Sequence, residues 1–151
     1  MRRWRTWTTD ETGTASLEFV TAGFVLLLPM VYLVLTMAAL QAGAFAVEGA
    51  ARQAARVFVQ ATAAPEAEAR ANRAVAFALA DYGLDGDAAT VSVVCAPRPD
   101  DCLHRLGTVT VTVGLSVPLP LVPPVLRLSV PLSVPLEASA TERVSRFWGA
   151  G

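Results

Sequence analysis

From Phe19 to Val47 the chain carries no Asp, Glu, Lys or Arg. A bilayer core asks for about 20 consecutive apolar residues in helical form, so this run predicts a transmembrane helix with length to spare. It exceeds the apolar region of a secretory signal, roughly 7–15 residues. A buried core helix of that length does not suit so small a chain. The pattern extends the helix from Thr14 to about Gln60. Pro29, within "LLLPMVYLVL", is a kink that membrane helices tolerate. After Ala38 small residues recur at four-residue spacing: Ala39 and Gly43, then Ala42, Ala46, Ala50 and Ala54. Such a stripe allows close helix packing, but Ala is also simply a good helix former, and both readings stay open. Glu48 and Arg52 form an i,i+4 pair in the favourable order.

A second helix is expected over Pro65–Gly83. Pro65 suits the first helical position, Glu66 and Glu68 the positive end of the helix dipole, and Gly83 the position just past the end, followed by Leu84. Ala71, Val75, Ala78, Leu79 and Tyr82 share a face that should cover a sheet. From Ala88 to Thr141 the period changes to two. Val91, Val93 and Cys95 fall on one side. The odd positions from Val109 to Leu121 are all apolar, and the even ones are Thr, Gly, Ser or Pro. After Pro123-Pro124 the apolar set moves to even positions, from Leu126 through Leu128, Val130, Leu132 and Val134 to Leu136. The prolines inside both runs lie on the polar side. Proline cannot donate to a ladder, so edge strands or extended polyproline-like chain are expected. The fold class is therefore α+β: a long N-terminal transmembrane helix, and a second amphipathic helix packed on a small antiparallel sheet with one wet face.

Composition changes this picture little. The formal net charge is −1, so nothing suggests a nucleic-acid partner. Every basic residue is Arg. Candidate chemistry is sparse. His104, the single histidine, lies in a polar loop, "DDCLHRLG", without a readable partner for general-base work. Asp85, Asp87, Asp100 and Asp101 match no calcium-loop spacing and read as turn formers. No phosphate-binding glycine loop or nucleophile elbow occurs, and no cofactor, metal site or catalytic residue is expected. Cys95 and Cys102 bracket "APRPDD" between two strands. They are either a reduced pair or a disulfide closing a short loop, and an oxidising compartment favours the bridge.

The opening of the long helix, "GTASLEFV", is more specific. A glycine, four residues, a glutamate and an unbroken apolar helix resemble the processing site of type IV prepilins. The resemblance implies cleavage by a prepilin peptidase between Gly13 and Thr14, and a role for Glu18 in assembly. A carboxylate in an apolar setting is costly unless paired, and a neighbouring subunit's new amino terminus would pair it. The plainer reading puts Glu18 at the headgroup level. With Pro29 in the apolar run and the stretch "VEGAARQAARVFVQA", the chain is similar to the TadE-like minor pseudopilins of tight-adherence (Tad/Flp) pilus systems. Ala50, Ala51, Arg52, Ala54, Ala55 and Arg56 carry that match, with "VTVTV" and "ATER" later. The first mature residue would be Thr14, where major pilins commonly have an aromatic.

That resemblance implies a pilin-like division: a prepilin-type leader over 1–13, a transmembrane and extended helix over 14–60, an extracytoplasmic α+β domain over 61–141 and a tail over 142–151. Arg2, Arg3 and Arg5 before the span outnumber Arg52 and Arg56 after it, a bias toward a cytoplasmic N-terminus. The expected partners are other pilins or pseudopilins, the Tad-type assembly machinery, the peptidase and membrane lipid. The competing reading is a signal-anchored binding module with no part in a filament. A membrane-tethered enzyme ranks last, because no nucleophile–base set is visible.

Overall fold

The computed structural model describes residues 14–120 and 132–149. Its elements run α1 (Thr14–Val59), α2 (Ala64–Ala80), a short 3₁₀ turn (Gly86–Ala88), β1 (Thr90–Ala96), β2 (Thr108–Pro118) and β3 (Ser133–Arg143). The long apolar helix, the second helix and the antiparallel sheet make an α+β fold, as expected. The chain divides into two compact units, Met1–Leu35 and Thr36–Gly151. In the described part of the first, every residue from Leu17 to Leu35 is exposed. α1 is long and apolar enough to cross a membrane. Pro29 lies inside it, leaving the Val25 carbonyl without its helical donor.

The second unit is a two-layer structure. The strands are antiparallel in the order β1-β2-β3. The alternation along β2 works as its sequence demands: Val109, Val111, Val113, Leu115 and Val117 are buried, while the residues between them are half-buried or exposed. Val91, Val93 and Cys95 of β1 and Leu136, Ala138 and Ala140 of β3 join them in one core. On the opposite face, hydroxyls pair across the ladder, Thr110 with Thr141 at 2.8 Å and Thr112 with Ser139 at 2.7 Å. Such cross-strand pairs fix register.

Both helices contribute to that core. From α2 come Ala67, Ala71, Val75 and Leu79, all buried, with Ala78 partly so. Tyr82 does not follow them: it is 51% exposed, because the helix has ended and the chain is turning. Gly83 has φ +69°, its N–H reaches the Ala80 carbonyl at 2.9 Å, and the Leu84 N–H reaches the Leu79 carbonyl at 3.0 Å. These two bonds form the glycine-ended helix stop expected there. From α1 come Ala46, Val47, Ala50, Ala51, Ala54, Ala55 and Phe58, each at most 2% exposed. The alanine stripe from Ala46 on therefore packs within its own unit, whereas Ala42 is exposed.

Three expectations need correction. β2 is the central strand, not an edge; its one proline, Pro118, ends the strand and interrupts no ladder. β3 is an edge strand, as expected, with Pro135 exposed. Gly43, Ala46 and Val47, the last part of the apolar run assigned to the membrane, are buried in the second unit. The residues beyond Thr141 are also structural: β3 runs to Arg143, Val144 is fully buried, and the Trp148 indole N–H donates to the Ala61 carbonyl at 2.9 Å. The apolar positions from Leu121 to Val130 lie outside the described residues.

Candidate functional site

Two features stand out, the mouth of α1 and the cysteine loop. Gly13 lies outside the described residues. Thr14 opens α1, and Glu18 is exposed one turn further on, between Leu17 at 68% and Phe19 at 81% exposure. Below it Thr21 returns its hydroxyl to the Leu17 carbonyl at 2.7 Å, a local bond that hides a polar group within an apolar helix. The ion pairs among the described residues are Glu48–Arg52, Glu66–Arg70 and Arg98–Asp101, and none involves Glu18. The site is a single carboxylate at the entrance of an apolar helical rod with its side chains turned outward. What it can do chemically is accept a positive partner.

Cys95 and Cys102 form a disulfide, with their Cα atoms 5.1 Å apart. Cys95 ends the buried row of β1, at 4% exposure. The short loop that the bridge closes carries Arg98 and Asp101, 3.5 Å apart. His104 is half-buried, with Nδ1 on the Asp101 carbonyl, so the loop conformation occupies that nitrogen. Asp85 accepts a hydrogen bond from the Asp87 N–H at 3.0 Å and starts the 3₁₀ turn, the turn-forming role its position predicted. No group of three or more potential metal ligands comes together among the described residues. An open groove of about 590 Å³ lies between α1 and α2, lined by Gln53, Val57, Arg70, Arg73, Phe77 and Asp81 among others. It offers no nucleophile beside a base.

Around α2 the polar chemistry is structural. Glu66 accepts from the Thr62 hydroxyl at 2.7 Å, from the Thr62 N–H at 3.3 Å and from Arg70 at 2.6 Å. These contacts, the Thr62 hydroxyl foremost, hold its carboxyl below the ordinary carboxylate value. Ala63, at the cap position, offers no side-chain acceptor, and Glu66 compensates by reaching back one residue further than in the usual capping box.

Two residues that matter were not singled out by sequence reasoning. Phe58 is a large core residue at 2% exposure, and Trp148 closes the end of α1. Phe58 sits four residues after Ala54, so the period of the stripe carried the signal. Nothing in the sequence announces Trp148. Comparisons with protein families, curated proteins and solved structures found no match to this chain.

Proposed function

We propose that this chain is a minor pseudopilin-like subunit, a structural component for assembling a Tad/Flp-type pilus or a related secretion apparatus, rather than an enzyme. One observation carries the reading. Glu18 stands at the entrance of an outward-facing apolar helix, at the spacing from Gly13 that a prepilin peptidase reads. An apolar rod of this kind can exchange lipid for the equivalent rods of neighbouring pilins. In this reading α1 crosses the cell membrane once, the N-terminus is cytoplasmic and the disulfide-bonded unit lies outside. The peptidase cuts after Gly13, and Glu18 then accepts the amino terminus of an adjacent subunit. A charge-assisted contact of that kind contributes about 1.5–3 kcal/mol when desolvated, enough to bias incorporation at every repeat.

The test is the mature N-terminus in cells that hold the cognate peptidase, read by mass spectrometry together with a Glu18→Ala comparison. The expected result is a chain beginning at Thr14, with Glu18→Ala reaching the membrane at the normal level but losing co-purification with other pilus components. A chain still beginning at Met1, with association unchanged in Glu18→Ala, would leave the signal-anchored binding module as the better reading.

A further inference from the structure

We propose that the outer face of α2 around Phe77 is a self-association surface, on which a second copy of this chain packs its own α2 in the antiparallel sense. Arg73, Phe77 and Asp81 carry the inference. They are spaced four apart and so lie in one row along the helix. Asp81, at the C-cap, keeps helical backbone angles, φ −59° and ψ −24°. All three residues are exposed, Phe77 at 73%. The buried residues of α2, Ala67, Ala71, Val75 and Leu79, face the core instead. An aromatic ring so exposed is a cost in water, and packing inside the unit gives it no cover. The two charges that flank it are also unmatched. Arg70 is held by Glu66 at 2.6 Å, whereas the Arg73 Nε donates to the Ala69 carbonyl at 3.2 Å. None of the ion pairs among the described residues includes Arg73 or Asp81. Eight residues set these two about 12 Å apart along the axis, too far to meet within one chain.

The order of the row makes it complementary to itself. When a two-fold axis passes beside Phe77, a residue some places before it faces the residue equally far after it on the second copy. Arg73 of each copy then faces Asp81 of the other, and the contact forms twice. The two Phe77 rings meet at the centre, an aromatic anchor inside a charged rim. Ala74 and Ala80, three places to either side of Phe77, fall opposite each other and let the helix axes approach. A parallel pairing would set Arg73 against Arg73 and Asp81 against Asp81, and like charges so placed oppose it. The charges therefore select the occupant, a second α2 running the other way. Two helical turns on each side bury less than the roughly 1,200–2,000 Å² of a stable complex, so the dimer is weak and reversible and each copy folds without it. The proposed role in a pilus assigns nothing to this face.

The experiment is a charge-reversal cycle on the full chain, disulfide intact, in density-matched detergent micelles. Equilibrium sedimentation up to about 100 μM chain, the range of a small interface, gives the dimer dissociation constant. Circular dichroism checks that each variant is folded; all the substituted positions are exposed. The wild-type chain should dimerise reversibly. Arg73→Asp and Asp81→Arg each set two like-charged pairs across the axis and should weaken the dimer by about tenfold or more. The double variant Arg73→Asp/Asp81→Arg restores both pairs in reverse and should recover an affinity within about threefold of wild type. Phe77→Ala should weaken the dimer without changing the fold. A chain that stays monomeric over the whole range overturns the proposal. So does a dimer indifferent to both single reversals, because it is then held through another surface. Single reversals that weaken the dimer without rescue in the double variant also overturn it, since Arg73 and Asp81 then do not face each other.

Discussion

At the scale of single residues, two glycines of α1 show how differently the same side chain can act. Gly43 faces the sheet with no room for a Cβ, whereas Gly49 has nothing within 4 Å of where a Cβ would lie. Gly49→Ala should stabilise the globular unit by about 0.5–1 kcal/mol through helix propensity alone. Gly43→Val should destabilise it by about 1–3 kcal/mol through overpacking against Val117. Denaturant unfolding of the full chain in detergent micelles, followed by near-ultraviolet circular dichroism, reads both. Glu66 supports a pH prediction. Its carboxyl is held below its ordinary value of 4.5, first by the Thr62 hydroxyl, then by the Thr62 N–H and Arg70. A folded value below the unfolded one contributes stability in full above the unfolded value. That contribution is lost as pH falls through the lowered folded value. Protection of the amides in the first turn of α2 should therefore weaken on acidification below the ordinary carboxylate value, and Glu66→Gln should remove that dependence. In Thr62→Val the Glu66 carboxyl should titrate nearer its ordinary value, as seen by carbon NMR of the carboxyl.

Among the elements, the cysteine bridge is the separable one. Closing a loop of about 8 residues stabilises by roughly 2.5 kcal/mol in the chain-entropy model. Reduction, or the Cys95→Ala/Cys102→Ala pair, should lower unfolding stability by about that amount while leaving α1 helical. Rapid alkylation of protein from the native envelope should find both thiols blocked. The elements also differ in how far the sequence disclosed them. The alternation of Val with Thr in β2 left one reading, and Gly83 marked the end of α2 because its left-handed backbone favours glycine. The prolines near β2 suggest an edge, but the strand stops at Pro118, so they bear on its end and not on its place in the sheet. The continuation of β3 through "ASATER" was hard to see. Ala138 and Ala140 are weak strand formers, but small residues there let the sheet join a core whose helical side is itself alanine-rich. The stripe from Ala46 to Ala54 disclosed close packing but not its partner, since the spacing that admits a helix also admits a sheet. At the mouth of α1 the carboxylate and its spacing were legible, but no sequence pattern could show that Trp148 would close the other end of the helix.

For the molecule as a whole, the second half of α1 is as much a part of the globular unit as the strands are. Phe58 supplies its bulk. Phe58→Ala should cost about 3–5 kcal/mol, a large share of the 5–15 kcal/mol that a domain of this size holds. Phe77→Ala, at a site 73% exposed, should change stability by less than about 0.5 kcal/mol. The expected signature for Phe58→Ala is loss of near-ultraviolet signal in protein still extracted from the membrane, and equal stability of the two variants would contradict this account of the core. The sheet order has a further consequence, for the timing of synthesis. β2 is the middle strand, yet β3, which covers its second edge, and Trp148, which closes α1, are made after it. Until they leave the ribosome, the valines from Val109 to Val117 have one open edge and an incomplete roof, beside a helix long and apolar enough to enter a bilayer. A nascent chain halted before Ser133 then presents an adhesive strand edge, and the interval before β3 arrives is when this protein most needs an escort.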